Sequence, residues 1–129
     1  AFLALSGSAP NIYLVGWQDD PRPIFQLADI FAFPSEADTF ANVLVEAMAS
    51  RLAIVSTSIG IAASAFEHGR NALVAPHDID AFAAMLSELL RDPALRERLG
   101  KAAQEDAKQM FGELATERAY RRMLGVGVA

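Results

Sequence analysis

Residues 30–57, IFAFPSEADTFANVLVEAMASRLAIVST, decide the fold. Residues 30–33 and 53–56 are two short segments that are apolar at consecutive positions rather than at alternating ones. That pattern is typical of strands covered on both faces. Residues 41–50, which lie between them, are predicted to form a helix. A strand, a helix and a strand in this order predict a right-handed crossover unit of a parallel sheet.

The rest of the chain extends the same pattern. Residues 12–15 and 72–74 are predicted as two more strands, and residues 23–28 as a helix. The predicted fold class is therefore α/β, a Rossmann-like parallel sheet with helices on both faces. Four strands are about half of a doubly wound domain, so we interpret the chain as part of one. An incomplete sheet leaves a strand edge open, and we expect self-association through that edge.

Helix start signals mark the second half of the sequence. Asp78 or Asp80 is expected to cap one helix, and Asp92, followed by Pro93, is expected to cap the next. Residues 114–124 form a last amphipathic stretch ahead of a frayed tail. This half of the chain is therefore predicted to be helical.

Composition excludes several classes of protein. The 129 residues are 53% hydrophobic and 21% charged, which is typical of one compact domain. Sixteen acidic and eleven basic residues give a net charge of -5, which argues against binding to nucleic acid. The absence of cysteine excludes thiolate metal sites and suits a cytoplasmic location. His68 and His77 have no third ligand at a suitable spacing, so no metal is expected.

The start of the helix within residues 41–50 is a candidate anion site. It follows the carboxyl end of a predicted strand, where parallel sheets bind ligands. Asp38 or Thr39 can cap the helix. The free backbone N–H groups of residues 40–43, together with the helix dipole, favour phosphate.

Glu46 stands out because it is a carboxylate in an apolar helix. Asn42, Glu46 and Ser50 are four residues apart, so they share one face. Asp38 lies at the loop end of this polar stripe. Carboxylates accept hydrogen bonds from neighbouring hydroxyl groups, so a ligand with a central phosphate and hydroxylated groups on both sides, such as a sugar nucleotide, fits the pattern. The alternative is that the stripe is the solvent face of an amphipathic helix.

Four segments resemble a known family: GWQDD (16–20), LADIFAFPSEADTFANVLVEAMAS (27–50), AIVST (53–57) and GRNALVAPHDIDAFAAML (69–86). They are similar to the C-terminal, donor-binding half of retaining GT-B glycosyltransferases of the family 4, or group 1, type. The resemblance runs from about residue 12 to residue 111. At its centre are an acidic residue and a Glu separated by seven residues, which Asp38 and Glu46 match.

The resemblance implies a role for each matching position. Glu46 would hold the ribose hydroxyls of the nucleotide, and Asp38 would contact hydroxyls of the transferred sugar. Gly16 and Trp17 would lie in the loop near the nucleobase. The backbone N–H groups of the residues at the helix start would meet the diphosphate. The full implied donor-binding set is Asp38, Thr39, Phe40, Ala41, Asn42, Val43 and Glu46.

The implied function belongs to a longer parent protein. That protein would transfer a hexose from a nucleotide diphosphate sugar to an unknown acceptor with retention of configuration. No metal or other cofactor would be needed. Peripheral attachment of the parent protein to a membrane stays an open alternative. Residues 1–129 would be the C-terminal part of its nucleotide-sugar-binding domain. The basic pair that neutralises the diphosphate, and the acceptor-binding domain, would precede residue 1. We therefore assign no catalytic residue and expect the chain alone to be inactive.

Two other interpretations stay open. Thr39, Ala41 and Arg51 stand where the family usually has glycine, which favours a non-catalytic interaction or assembly module with a degenerate donor loop. A receiver-like regulatory domain has a sheet of similar size. It would need a phosphorylatable Asp at a strand end and a downstream Lys, and the Asp19-Asp20 pair has no such Lys.

Overall fold

The computed structural model describes residues 11–37 and 42–113. Three parallel strands form one sheet in the order β1-β2-β3. The elements are α1 (Arg22–Leu27), β1 (Ile30–Phe33), α2 (Asn42–Ala49), β2 (Ala53–Thr57), α3 (Ala62–Ala65), β3 (Leu73–Ala75), α4 (Ile79–Arg91) and α5 (Pro93–Phe111). The parallel sheet and its crossover helices confirm the predicted fold class.

β2 is the central strand and is buried at every position. Ile30 lies opposite Ala53 on one side of it, and Val55 lies opposite Leu73 on the other. The consecutive apolar residues 53–55 follow from this position, because both faces of the strand are covered.

The core has two parts, one on each face of the sheet. On one face Leu44 and Met48 of α2 pack with Ile54. On the other, Val55 packs with Leu89 of α4. α5 contributes to both parts: Leu99 joins the second cluster, and Ala103 and Ala107 join the first. The long C-terminal helix therefore joins the two layers.

The predicted caps of α4 and α5 are confirmed. Asp78 accepts a 2.7 Å hydrogen bond from the Ala81 N–H, which settles the choice between Asp78 and Asp80. Asp92 accepts a 2.9 Å hydrogen bond from the Leu95 N–H, and Pro93 is the first residue of α5. Each carboxylate satisfies an N–H group that the helix itself cannot pair.

The strand predicted at residues 12–15 was wrong. Residues 11–20 are exposed and contain no strand. An apolar segment becomes a strand only by pairing. In a doubly wound sheet of order 3-2-1-4-5-6, the third strand pairs with the second and not with the fourth. If residues 12–15 are that third strand, nothing within the described residues is the neighbour it needs.

β1 lies at residues 30–33 as predicted, and the other predicted elements differ by one residue at their boundaries. β3 is residues 73–75 rather than 72–74, because Ala72 forms only an isolated bridge with His68. The helix predicted at residues 23–28 is α1, and the one predicted at 41–50 is α2. The described residues thus hold three strands rather than four. The stretch predicted at 114–124 lies outside them.

Arg51 ends α2 in a left-handed conformation, with φ of 63°. The Arg51 N–H donates to the Met48 carbonyl and the Leu52 N–H to the Ala47 carbonyl. This pair of hydrogen bonds is the Schellman motif, whose left-handed position favours glycine. The Arg51 side chain forms an ion pair with Glu97 on the surface. An exposed pair of this kind adds little stability.

We expect Arg51→Gly to raise the free energy of unfolding by about 0.5 kcal/mol, because relief of the left-handed strain outweighs the lost ion pair. Urea unfolding would measure the change. Glu97→Gln is the matched control, since it removes the ion pair and leaves the backbone unchanged. If Arg51→Gly instead loses at least as much stability as Glu97→Gln, the lost ion pair outweighs the relief of backbone strain.

Candidate functional site

The carboxyl ends of the three strands meet at one edge of the sheet, which is where ligands bind in parallel sheets. Thr57, the last residue of β2, donates a 2.5 Å hydrogen bond from Oγ1 to the Ser35 carbonyl oxygen. Ser35 belongs to the loop that follows β1 and leads towards α2. The end of β2 therefore helps to position this loop.

The residues predicted to meet a diphosphate are only partly described. Asn42 is exposed on α2, and Val43 is half-buried against the core. Diphosphate binding by the backbone N–H groups of residues 40–43 stays a prediction. The remaining members of the predicted donor-binding set lie outside the described residues: Asp38, Thr39, Phe40 and Ala41.

Glu46 lines a groove of about 490 Å³. Its side chain is exposed, whereas Leu44, Ala47 and Met48 of the same helix are buried. The carboxylate therefore avoids the cost of desolvation that its apolar neighbours would impose. Glu46 is thus both exposed and part of a groove wall, which the half-buried Ser50 shares, whereas Asn42 does not line the groove. The other residues that line the groove are Asp19, Asp20, Pro21, Arg22, Phe25, Ala49 and Ser50.

The wall opposite α2 is the segment that leads into α1. Asp20 accepts hydrogen bonds from the Arg22 backbone N–H at 3.1 Å, from Nε at 2.7 Å and from Nη2 at 2.9 Å. These hydrogen bonds hold the pKa of the Asp20 carboxyl below its usual range. Asp20 therefore stays ionised at neutral pH and fixes the first turn of α1.

The predicted nucleobase loop joins this wall. Trp17 is 89% exposed, and its Nε1–H donates a 3.0 Å hydrogen bond to Asp19, which lines the groove. Gly16 has φ of +68°, a backbone conformation that residues other than glycine rarely adopt. Neither residue lines the groove itself. Gly16 and Trp17 nevertheless lie within three residues of Asp19, which lines the same groove as Glu46, so the predicted nucleobase loop leads directly into the wall opposite the predicted ribose contact.

The charges around the groove suit hydroxyl groups better than phosphate. Glu46, Asp19 and Asp20 are acidic, and the Arg22 charge is paired with Asp20. Carboxylates accept hydrogen bonds from ribose hydroxyls and from N–H groups of a base, and they repel phosphate. A phosphate would therefore lie outside this groove, nearer the start of α2.

Two arginines outside the groove are paired with other carboxylates. Arg51 pairs with Glu97, and Arg70 pairs with Glu67 and Asp106. The hydrogen bond from Arg70 is the main cause of a lowered pKa at Asp106. Neither arginine lines the groove. Across the part of the chain that the structure describes, no three acidic or histidine side chains are grouped as a metal site would require.

Sequence patterns missed two features of this edge. The first is the groove wall at Asp19 and Asp20, because only the folded chain brings it opposite Glu46. The second is an apolar cavity of about 400 Å³ on the α4 side of the sheet, lined in part by Thr57, Pro76 and Phe82. Both features join segments that are distant in sequence, and local periodicity gives no signal for such contacts.

A family profile described as glycosyl transferases group 1 matches residues 2–92. The chain belongs to this family. The match covers all four segments on which the resemblance rested. Membership of this family does not favour the two alternatives, a receiver-like regulatory domain and a non-catalytic interaction or assembly module.

Sequence relatives of this group 1 chain include bacterial glycosyltransferases. It is 29% identical over 119 residues to the lipopolysaccharide core biosynthesis glycosyltransferase LpsE of Rhizobium meliloti, covering 92% of this chain and 35% of that protein. It is 34% identical over 102 residues to the D-inositol 3-phosphate glycosyltransferase of Kribbella flavida, covering 75% and 24%. The chain thus spans about a third of the length of these relatives, or less.

A solved structure agrees with the fold. The crystal structure of Anabaena HepE in complex with UDP superposes with a TM-score of 0.85 at 22% identity, covering 95% of this chain and 34% of that one. HepE has also been solved in complex with UDP-glucose. The fold of the group 1 chain is therefore that of the C-terminal part of a GT-B glycosyltransferase. Within residues 11–37 and 42–113, no helix combines the length and the apolar character needed to cross a membrane.

Proposed function

We propose that the chain is the C-terminal part of the nucleotide-sugar-binding domain of a longer glycosyltransferase. That enzyme transfers a hexose from a nucleotide diphosphate sugar to an acceptor, with retention of configuration. The observation that carries the proposal is Glu46, an exposed carboxylate that lines a groove between α1 and α2, the helix that follows the carboxyl end of β1. Family membership and the UDP complexes of HepE support it.

The nucleoside occupies the groove. The Glu46 carboxylate accepts hydrogen bonds from the two ribose hydroxyls, which fixes the sugar ring by a bidentate contact. The base lies towards the segment of Gly16 and Trp17, where an exposed aromatic ring and the Asp19 carboxylate offer stacking and acceptor contacts.

The diphosphate lies at the start of α2. Backbone N–H groups of residues 40–43 donate to its oxygens, and the helix dipole adds a favourable field. During transfer the bond between the sugar and the diphosphate breaks, and negative charge builds up on the departing diphosphate. N–H dipoles that are already oriented stabilise that charge without reorganising. Asp38 and Glu46 position the donor and need not act as nucleophiles.

Other parts of the proposal concern the parent protein. A basic pair and the acceptor-binding domain come from its remaining residues, so we expect residues 1–129 alone to be inactive. The nucleotide diphosphate sugar acts as the donor substrate, and no metal or other resident cofactor is invoked. A cytoplasmic location and self-association through the outer edge of β1 stay predictions, and sedimentation of the isolated chain would test the latter.

Calorimetric titration of the full-length protein with uridine, guanosine and adenosine diphosphates tests the proposal. We expect one of them to bind with a dissociation constant in the micromolar range, which is about 6–8 kcal/mol of binding free energy. The corresponding diphosphate sugar should also bind. The absence of binding by all three at millimolar concentration would contradict the proposal.

A further inference from the structure

Asn71 is a fully buried amide that joins two distant segments. It is 0% exposed and follows the turn after α3. Its Nδ2 donates to the Ala65 carbonyl at 2.8 Å and to Asp106 Oδ2 of α5 at 2.6 Å. Its Oδ1 accepts a 2.8 Å hydrogen bond from the Glu67 N–H. The amide therefore fixes the turn against α5 with both of its polar atoms.

The Ala65 carbonyl is at the last residue of α3. Carbonyl groups at a helix end have no partner within the helix. A four-residue helix is also too short to be stable by itself, so its position depends on outside contacts. The buried side chains of Ala62 and Ala65 supply some of these contacts, and Asn71 supplies the hydrogen bond at the C-terminal end.

α3 in turn sets the position of residues 58–61, the loop at the carboxyl end of β2. Ile61, the residue before α3, is buried in the core and bonded through its carbonyl to the Ala65 N–H. Gly60 has φ of 51°, and the Ile59 N–H donates to the Thr57 carbonyl. The loop is short and attached at both ends, so a displacement of α3 moves it.

This loop and Glu46 lie on different sides of α2. Glu46 lines the groove shared with α1, on the β1 side of the sheet. The loop follows β2, the next strand in the sheet order. If the nucleoside occupies the groove and the diphosphate the start of α2, the transferred sugar extends towards residues 58–61. This step rests on the proposed function.

We propose that Asn71 is a positioning residue for the sugar end of the donor. It acts through the Ala65 carbonyl and α3 on the loop of residues 58–61, and it makes no contact with the nucleoside groove. Asn71 thus controls how well the protein distinguishes a nucleotide sugar from the bare nucleoside diphosphate. Asp106 orients the Asn71 amide and is itself held by a 2.6 Å ion pair with Arg70.

The test compares two affinities in the full-length protein. We expect Asn71→Ala to weaken binding of the nucleotide sugar about tenfold, the effect of one lost buried hydrogen bond. Binding of the bare diphosphate should change by less than about twofold, the usual range for a site that is not touched. Hydrogen exchange should become faster at residues 58–65 and stay unchanged in α2. An equal loss of both affinities, or no loss, would overturn the proposal.

Two further variants separate positioning from general stability. Arg98→Ala removes a 2.8 Å hydrogen bond to the Gly69 carbonyl, another link between the same turn and α5, and should leave both affinities unchanged. The exchange Asn71→Ser leaves a hydroxyl with a single O–H donor, which the Asp106 carboxylate accepts in preference to the Ala65 carbonyl, and it buries no new charge. It serves if Asn71→Ala fails to fold, and we expect it to weaken sugar binding selectively.

The outcomes also distinguish this inference from the proposed function. If the wild-type protein binds no nucleoside diphosphate, the proposed function fails. If it binds both ligands and Asn71→Ser retains full preference for the nucleotide sugar, Asn71 does not position the loop and only this inference fails.

Discussion

Glu46→Gln lowers the affinity of the full-length protein for its nucleoside diphosphate by about 10- to 100-fold. The carboxylate accepts hydrogen bonds from the ribose, and a hydrogen bond to a charged group contributes about 1.5–3 kcal/mol. Glutamine has nearly the same size but replaces one acceptor oxygen with a donor and removes the charge. Because Glu46 is exposed and outside the core, the free energy of unfolding should change by less than about 0.5 kcal/mol.

Calorimetry on the variant and on a matched control measures this effect. Glu88→Gln removes an exposed carboxylate from α4, away from the groove, and should leave the affinity unchanged. The 2′-deoxy form of the nucleotide gives a second comparison. It should bind the wild-type protein more weakly than the ribose form, and the difference should shrink in Glu46→Gln because the partner of the missing hydroxyl is gone. If both proteins prefer the ribose form over the 2′-deoxy form by the same factor, Glu46 does not bind the ribose.

The parts of the fold that sequence predicts are those set by local chemistry. Asp78 and Asp92 cap helices through residues three positions away, so the signal lies within one turn. β2 was recognised because a short run of consecutive apolar residues, bounded by turn residues, is typical of a strand covered on both faces. The stripe through Glu46 was recognised because helical periodicity places residues four apart on one face. These rules depend on neighbouring residues and not on how the elements pack.

The features that sequence did not predict depend on partners far along the chain. Residues 12–15 have the pattern of a strand, but a strand forms only when it pairs with a neighbouring strand. The local pattern does not show whether that neighbour is present. The hydrogen bond between Asn71 and Asp106 joins residues 35 positions apart. The groove opposite Glu46 likewise forms only when α1 packs beside α2. Sequence therefore located one wall of the candidate site and not the other.

Gly100 is another residue whose role only the fold reveals. It is a buried residue of α5, in a stretch that reads as an ordinary charged helix. In the structure its backbone lies against residues 51 and 52, just before β2. A Cβ atom at this position would be 3.0 Å from the Arg51 carbonyl carbon and 3.3 Å from that of Leu52, and closer still to the Arg51 carbonyl oxygen. The atoms it meets are backbone, which cannot rotate away as a side chain can.

We expect Gly100→Ala to lower the free energy of unfolding by about 2 kcal/mol, because α5 must move away from β2 to admit the methyl group. Alanine favours a helix by about 1 kcal/mol over glycine, so a result in the opposite direction would show that α5 accommodates the methyl group without strain. Urea unfolding measures the change. Lys101→Ala, at an exposed neighbouring position of the same helix, is the control and should change stability by less than about 0.5 kcal/mol. Because α5 contributes to the core on both faces of the sheet, displacing it disturbs both clusters and cannot be relieved locally.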